Sequence, residues 1–383
     1  MQPLDCPSRP SPAGLTRSKR TTLRRRLTRA AAGALCGFAV AGGGVAPGGA
    51  VEPLALLRPD VVLPPPNPGP VQVDPDAQGA PAGSQEPAAT VRRVPGRSAS
   101  DLSVAISREA FPYGASTAYL ARADDLADAL VAGQLTDGPI LLLPRGSTAP
   151  AGVRSEIARL RPSRVVAVGG PAAVSQAALV SAAQGRRVGR ISGDNAYATA
   201  SAIARAAFGR EADGSGGVAY VVSRTGLADG AVSGQLVDGP VLVAPPRVTA
   251  ARIPGAPAAL KGTVVGIGGT ARLPDAVLRS LPARGGRTER IAGPDRYSTA
   301  AKVAARAFPN GASRVYIGSG SDLAGAVAAG AIADAAVLLA PSCGTLPPTV
   351  ASEIRRLRPN QIVLLGDSRV LCTALEKSLG ALH

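Results

Sequence analysis

Apolar and polar positions along this chain repeat as three successive stretches, residues 93–188, 189–288 and 289–383, each with the same alternation of helix-spaced and continuous apolar runs. The last stretch is the clearest. Residues 298–307 (STAAKVAARA) place Ala301, Val303, Ala304 and Ala307 on one face at helical spacing, and Ser298 or Thr299 supplies an N-cap oxygen. Residues 314–317 read as a short strand, and 322–333 as a helix of small residues thin enough to lie close to a sheet. Residues 336–339 form a continuous apolar strand closed by Pro341, and 347–357 an amphipathic helix with Ile354 and Leu357 inward. Residues 361–365 give a third strand ending at Gly366, and 369–379 a last helix. The two earlier stretches yield the same α-β-α-β-α-β-α order.

Landmarks keep their order in all three. Each copy opens on an arginine (Arg93, Arg190, Arg290) with a phenylalanine eighteen positions later (Phe111, Phe208, Phe308). A glycine precedes a proline by eleven positions: Gly133 and Pro144, Gly234 and Pro245, Gly330 and Pro341. An apolar run then ends in Gly169-Gly170, Gly268-Gly269 or Gly366-Asp367. Such self-similarity predicts three like modules rather than one large catalytic domain. Fully apolar strands alternating with helices predict the α/β class, with parallel sheets covered on both faces and ligands at the carboxyl ends of strands. Residues 187–191 and 287–291 read as strands leading from one module into the next.

Composition alters this picture in two places. Only 3% of residues are aromatic and none is Trp, so the cores are built from Ala, Val, Leu and Ile closely packed. The formal charge is +16, and eight of the 42 basic residues crowd into residues 1–50. There a basic segment precedes the weakly apolar 30–46 and small residues, the order of an export signal, and Arg24-Arg25-Arg26-Leu27 is similar to a twin-arginine motif. Without residues 1–50 the chain keeps 34 basic against 25 acidic residues, which favours an anionic partner. No later segment is long enough to span a bilayer. Residues 51–92, dense in Pro, Gly, Ala and Gln, read as a disordered spacer.

Several chemistries lack their residues. The sole histidine is His383, which removes Ser-His-Asp and Cys-His sites and histidine-based zinc hydrolysis. No G-x-S-x-G elbow or phosphate-loop motif occurs, and Val264–Gly269 lacks the third glycine of a dinucleotide turn, so no cofactor is expected. Asp128 and Asp229 hold equivalent places, with Gly325 third; they are paired acids only where two modules meet, and otherwise serve as helix-cap or salt-bridge residues. Asp295-Arg296-Tyr297 opens a helix either as a dipole-complementing cap or as a polar lip toward a ligand or neighbouring module. Cys343 and Cys372 follow two strands of the last module, and an exported chain permits a disulfide between them.

Residues 290–300 (RIAGPDRYSTA), a later Asp/Gly-Ala-[LV]-x-[AS]-Gly helix, a Pro-[IV]-Leu strand and a Val-x-x-[VI]-Gly-Gly turn together resemble the cell-wall-binding type 2 repeat, over residue 93 to about 380. The resemblance implies Toprim-like modules packed as a pseudo-threefold ring. It further implies non-covalent, non-enzymatic attachment of an exported protein to an anionic cell-wall polymer, with no nucleic-acid partner. The motif residues then become the candidate polymer-binding set: Pro139, Ile140, Leu141, Pro240, Val241, Leu242, Gly169, Gly170, Gly268, Gly269, Asp295, Arg296 and Tyr297. Two rivals remain: a secreted hydrolase using the aspartates, and a small-ligand carrier using the strand-end clefts.

Overall fold

The computed structural model describes residues 89–245, 260–283 and 286–382. The expected export signal, the spacer up to residue 88, and His383 lie outside the described residues. The described chain enters on β1 (Thr90–Val94). The first module runs α1 (Ala99–Ala110), β2 (Thr117–Arg122), α2 (Ala127–Ala132), β3 (Ile140–Leu143), α3 (Ala151–Leu160), β4 (Arg164–Val168), α4 (Gln176–Ala183) and β5 (Arg187–Ile191). The second comprises α5 (Ala196–Phe208), β6 (Val218–Ser223), α6 (Leu227–Gly230), β7 (Val241–Ala244), β8 (Thr263–Ile267), α7 (Asp275–Ser280) and β9 (Arg287–Ile291). The third comprises α8 (Arg296–Ala307), β10 (Arg314–Ser319), α9 (Ala324–Ala329), β11 (Ala336–Ala340), α10 (Pro348–Leu357), β12 (Gln361–Leu365) and α11 (Thr373–Gly380).

Three parallel four-stranded sheets result, ordered β3-β2-β4-β5, β7-β6-β8-β9 and β1-β12-β10-β11. The linking strands β5 and β9 each complete the sheet of the module they leave. The third sheet takes its fourth strand from the beginning of the described chain, with Thr90 opposite Gln361 and Val94 opposite Leu365. Residues 90–92, expected as the end of the spacer, are therefore strand: the sequence TVRRV supplies β-branched residues that pair with a free sheet edge. One landmark now has a cause. Arg93, Arg190 and Arg290 each donate from Nη1 to the carbonyl of the glycine ending the adjacent strand (Gly366, 2.9 Å; Gly169, 2.8 Å; Gly268, 2.6 Å).

The two faces of each sheet serve different cores. Leu120, Leu141 and Val165 pack outward under α3 and α4, and the other modules have their own such clusters. Tyr119, Tyr220 and Tyr316, at matching strand positions, all face one core shared by the three modules. The first helix of each module packs on the second helix of the one before: α5 on α2, α8 on α6, and α1 on α9. At the centre Gly133, Gly234 and Gly330 meet. A Cβ on Gly234 would lie 2.7 Å from the Gly330 oxygen and 2.9 Å from the Gly133 Cα. Gly133 and Gly330 have ordinary right-handed φ angles (−55° and −60°), so space and not backbone freedom requires glycine there.

The second helix of module two is the weak copy. It breaks into 3₁₀ turns around a four-residue α6, because Gly226 and Gly230 interrupt it. Gly230 is needed for packing: a Cβ there would approach Val222 and Leu130 at 3.1–3.2 Å. Cys343 and Cys372 are joined by a disulfide with a Cα–Cα distance of 5.1 Å. The equivalent first-module residues, Gly146 and Ser175, are tied instead by a 2.8 Å hydrogen bond from the serine hydroxyl to the glycine carbonyl.

Candidate functional site

The motif residues named from the sequence separate into three environments. Pro139-Ile140-Leu141 and Pro240-Val241-Leu242 lie at the amino ends of β3 and β7 and are buried, with Ile140, Leu141, Val241 and Leu242 no more than 1% exposed. They present no side chain to a polymer, so their assignment to a contact surface is corrected: an apolar run in a central parallel strand is core. Gly169-Gly170 and Gly268-Gly269 turn at the opposite, carboxyl ends of β4 and β8. Gly169 and Gly268 adopt φ of +97° and +102°, and a Cβ on either would press on Asp128 or Asp229 at 2.5–2.8 Å. Asp295 caps α8 by accepting from the Ser298 amide at 2.7 Å, and Arg296 donates to the Gly320 carbonyl. Tyr297 is half buried beside them.

Between the first and second modules lies an open cleft of about 640 Å³. The end of β2 and the loop after it bring Arg122, Asp124 and Asp125, the loop after β3 brings Arg145, and the second module adds Tyr197 and Arg224. Asp124 is held by Arg122 through two bonds of 2.7–2.8 Å and by Arg145. These hydrogen bonds keep its carboxyl well below the usual carboxylate range. Asp125 accepts from Arg224 across the junction at 3.0 Å. Three guanidinium groups thus share two carboxylates, and Arg145 is 69% exposed. Guanidinium groups opening onto a cleft suit bidentate contacts to phosphate or carboxylate.

Behind this cleft, Asp128 has a buried Oδ1 without a hydrogen-bond partner. Burial, and then the charge of Asp125, push its pKa up to about 6 against the pull of Arg224 and Arg122. Asp229 stands in the matching place between modules two and three. It is raised by burial, faced by the Thr299 hydroxyl, and flanked by Arg296 and Arg272. Each aspartate lies against its own module's glycine turn, so the two are not a carboxylate pair. Two buried glutamines cross the same junctions: Gln134 brackets the backbone of Val241, and Gln235 that of Val337, each donating to the carbonyl and accepting from the amide.

Arg122, Arg145 and Arg224 were not among the sequence-derived candidates. Arg122 and Arg224 hold different repeat positions, so no shared motif column contains them. Tyr197 and Tyr297 do occupy one column, and that correspondence was the legible signal. Among the described residues no helix is long and apolar enough to cross a membrane. Nor, among them, does any group of three or more His, Cys, Asp or Glu come together so that it could hold a metal ion.

Three parallel-sheet modules with shared junctions and repeated glycine turns define a tandem-repeat α/β array. The sequence profile of the cell wall binding domain 2 (CWB2) family matches residues 93–179, 190–278 and 290–376, and the chain belongs to that family. Among solved structures it is similar to Cwp6 from Clostridium difficile (TM-score 0.65, 21% identity, 80% of this chain and 50% of that one). It is also similar to Cwp8 from Clostridium difficile (TM-score 0.63, 22% identity, 76% and 51%). The chain thus spans about half the length of each. No curated protein sequence matches it. Family membership makes it a cell-wall-binding, cell-surface-associated protein.

Proposed function

We propose that the protein is exported and holds to the cell wall by reversible, non-enzymatic binding of an anionic wall polymer in clefts between its modules. The modules act as a pseudo-threefold ring of Toprim-like units, closed where β1 joins the third sheet. The observation that carries this reading is the cleft lined by Arg122, Arg145 and Arg224, three guanidinium groups from two modules of which Arg145 is largely exposed. Polymer charge replaces part of the Asp124 and Asp125 partnership, and Tyr197 offers an aromatic face beside it. Several weak contacts along one polymer gain from avidity, since each later contact is effectively intramolecular. The glycine turns hold the junction geometry and the buried Pro-Ile-Leu strands the sheet behind it. Cosedimentation with isolated cell walls across a salt series tests the reading. Binding should be strong at low salt and fall as the Debye length shrinks; protein left soluble at low salt, or bound regardless of salt, refutes it.

A further inference from the structure

The three junctions are not equivalent, and the differences coincide. At the first two, an acid stands at the junction, Asp128 or Asp229; at the junction of module three with module one its place is taken by Gly325. The facing position, nine residues before the helix-ending phenylalanine, is Thr199, then Thr299, then Leu102. The changes compensate: a Cβ on Gly325 would already lie 3.1 Å from Leu102 Cδ2 and 3.0 Å from Leu365 Cβ, and Leu102 is 3% exposed. The leucine of module one thus fills the space that the acid takes elsewhere. The aromatic position reads Tyr197, Tyr297 and Ser100, with the serine buried and bonded to the Leu142 carbonyl at 2.7 Å. The glutamine position reads Gln134, Gln235 and Ala331. The loop Arg122-Ala123-Asp124-Asp125 reads Ser223-Arg224-Thr225-Gly226 in module two, where Arg224 reaches back to Asp125, and Ser319-Gly320-Ser321-Asp322 in module three, without a cation; the cations beside Asp229 are Arg296 and Arg272.

We propose that only two of the three junctions take the anionic polymer, and that the third is a dry apolar closure. Resting on the wall-binding reading above, this assigns to each of the first two junctions one anionic sugar segment, gripped by arginine against a tyrosine face. Junction three instead holds the first module to the last: Leu102 packs on Gly325, β1 pairs with β12, and Arg93 is bonded to Glu376 at 2.8 Å.

Three matched substitutions of exposed arginines test the count: Arg145→Gln at the first junction, Arg272→Gln at the second, and Arg97→Gln on the loop entering α1 at the third. The readout is cosedimentation of the full chain with isolated cell walls at low salt, with circular dichroism recording that each variant is folded. Arg145→Gln and Arg272→Gln should each weaken binding about fivefold, and together about twentyfold or more. Arg97→Gln should stay within about twofold of the parent. Equal weakening by Arg97→Gln overturns the proposal by adding a third site. An effect from only one of the other two, or from neither, overturns it by removing a site. In those cases the parent protein still pellets in a salt-dependent manner; failure of the parent to pellet is failure of the wall-binding reading itself.

Discussion

Substituting Gly234 by alanine adds one methyl group where three chain segments converge. The new Cβ would stand 2.7 Å from the Gly330 oxygen, 2.9 Å from the Gly133 Cα and 3.0 Å from the Gly330 carbonyl carbon. All three neighbours are backbone, so no side chain can rotate away and one module must shift. Overpacking of this kind costs about 1–3 kcal/mol. For a chain of this size each kcal/mol lowers Tm by about 2–4 °C, which gives a fall of several degrees. Thermal unfolding followed by circular dichroism reads it directly. Gly152→Ala is the internal control: it lies in α3 with open space around its added Cβ, and alanine there should stabilise by roughly 0.5–1 kcal/mol. Opposite signs for the two glycine-to-alanine changes support a close three-module contact. A Gly234→Ala variant as stable as the parent refutes it.

Other junction and module features give further tests. Reduction of Cys343–Cys372, which closes a separation of 29 residues, should lower stability by about 3–4 kcal/mol in a denaturant melt; an unchanged midpoint would show that the bond constrains nothing. Gln235→Ala orphans both the amide and the carbonyl of Val337 at a buried junction and should cost about 3 kcal/mol or more, measured the same way. Asp128 makes stability depend on pH. Its folded pKa, about 6, lies above the unfolded value of 3.8, so the ionised form is penalised. That penalty is absent below about pH 4, grows through the interval to 6, and is complete at neutral pH. Asp128→Asn should therefore gain up to roughly 3 kcal/mol over the parent at pH 7 and nothing at pH 4; an equal difference at both values contradicts the burial argument.

Periodicity located the helices and strands of the third module closely, because short apolar strands and amphipathic helices alternate there without breaks. Helix 298–307 was found as Arg296–Ala307, and strand 361–365 as Gln361–Leu365. The return of β1 to the last sheet was hidden, since TVRRV sits at the end of a proline-rich stretch and its partner lies some 270 residues away in sequence. The Pro-Ile-Leu motifs were misplaced because repetition marks core and surface alike; only burial tells them apart. The first cleft was hidden because Arg122, Arg145 and Arg224 converge from a strand end, a loop and a 3₁₀ turn at unrelated repeat positions. The sealed third junction, by contrast, was half visible in Gly325, and Leu102 supplied the other half once the modules were seen to touch.

The wall affinity of the Arg122→Gln/Arg224→Gln protein tests the central claim most directly. Removing both cations leaves Asp124 and Asp125 facing the polymer with Arg145 alone to offset them. Binding to isolated walls at low salt should fall by about tenfold or more, with the circular dichroism spectrum unchanged. A folded double variant that binds walls as tightly as the parent would contradict the account.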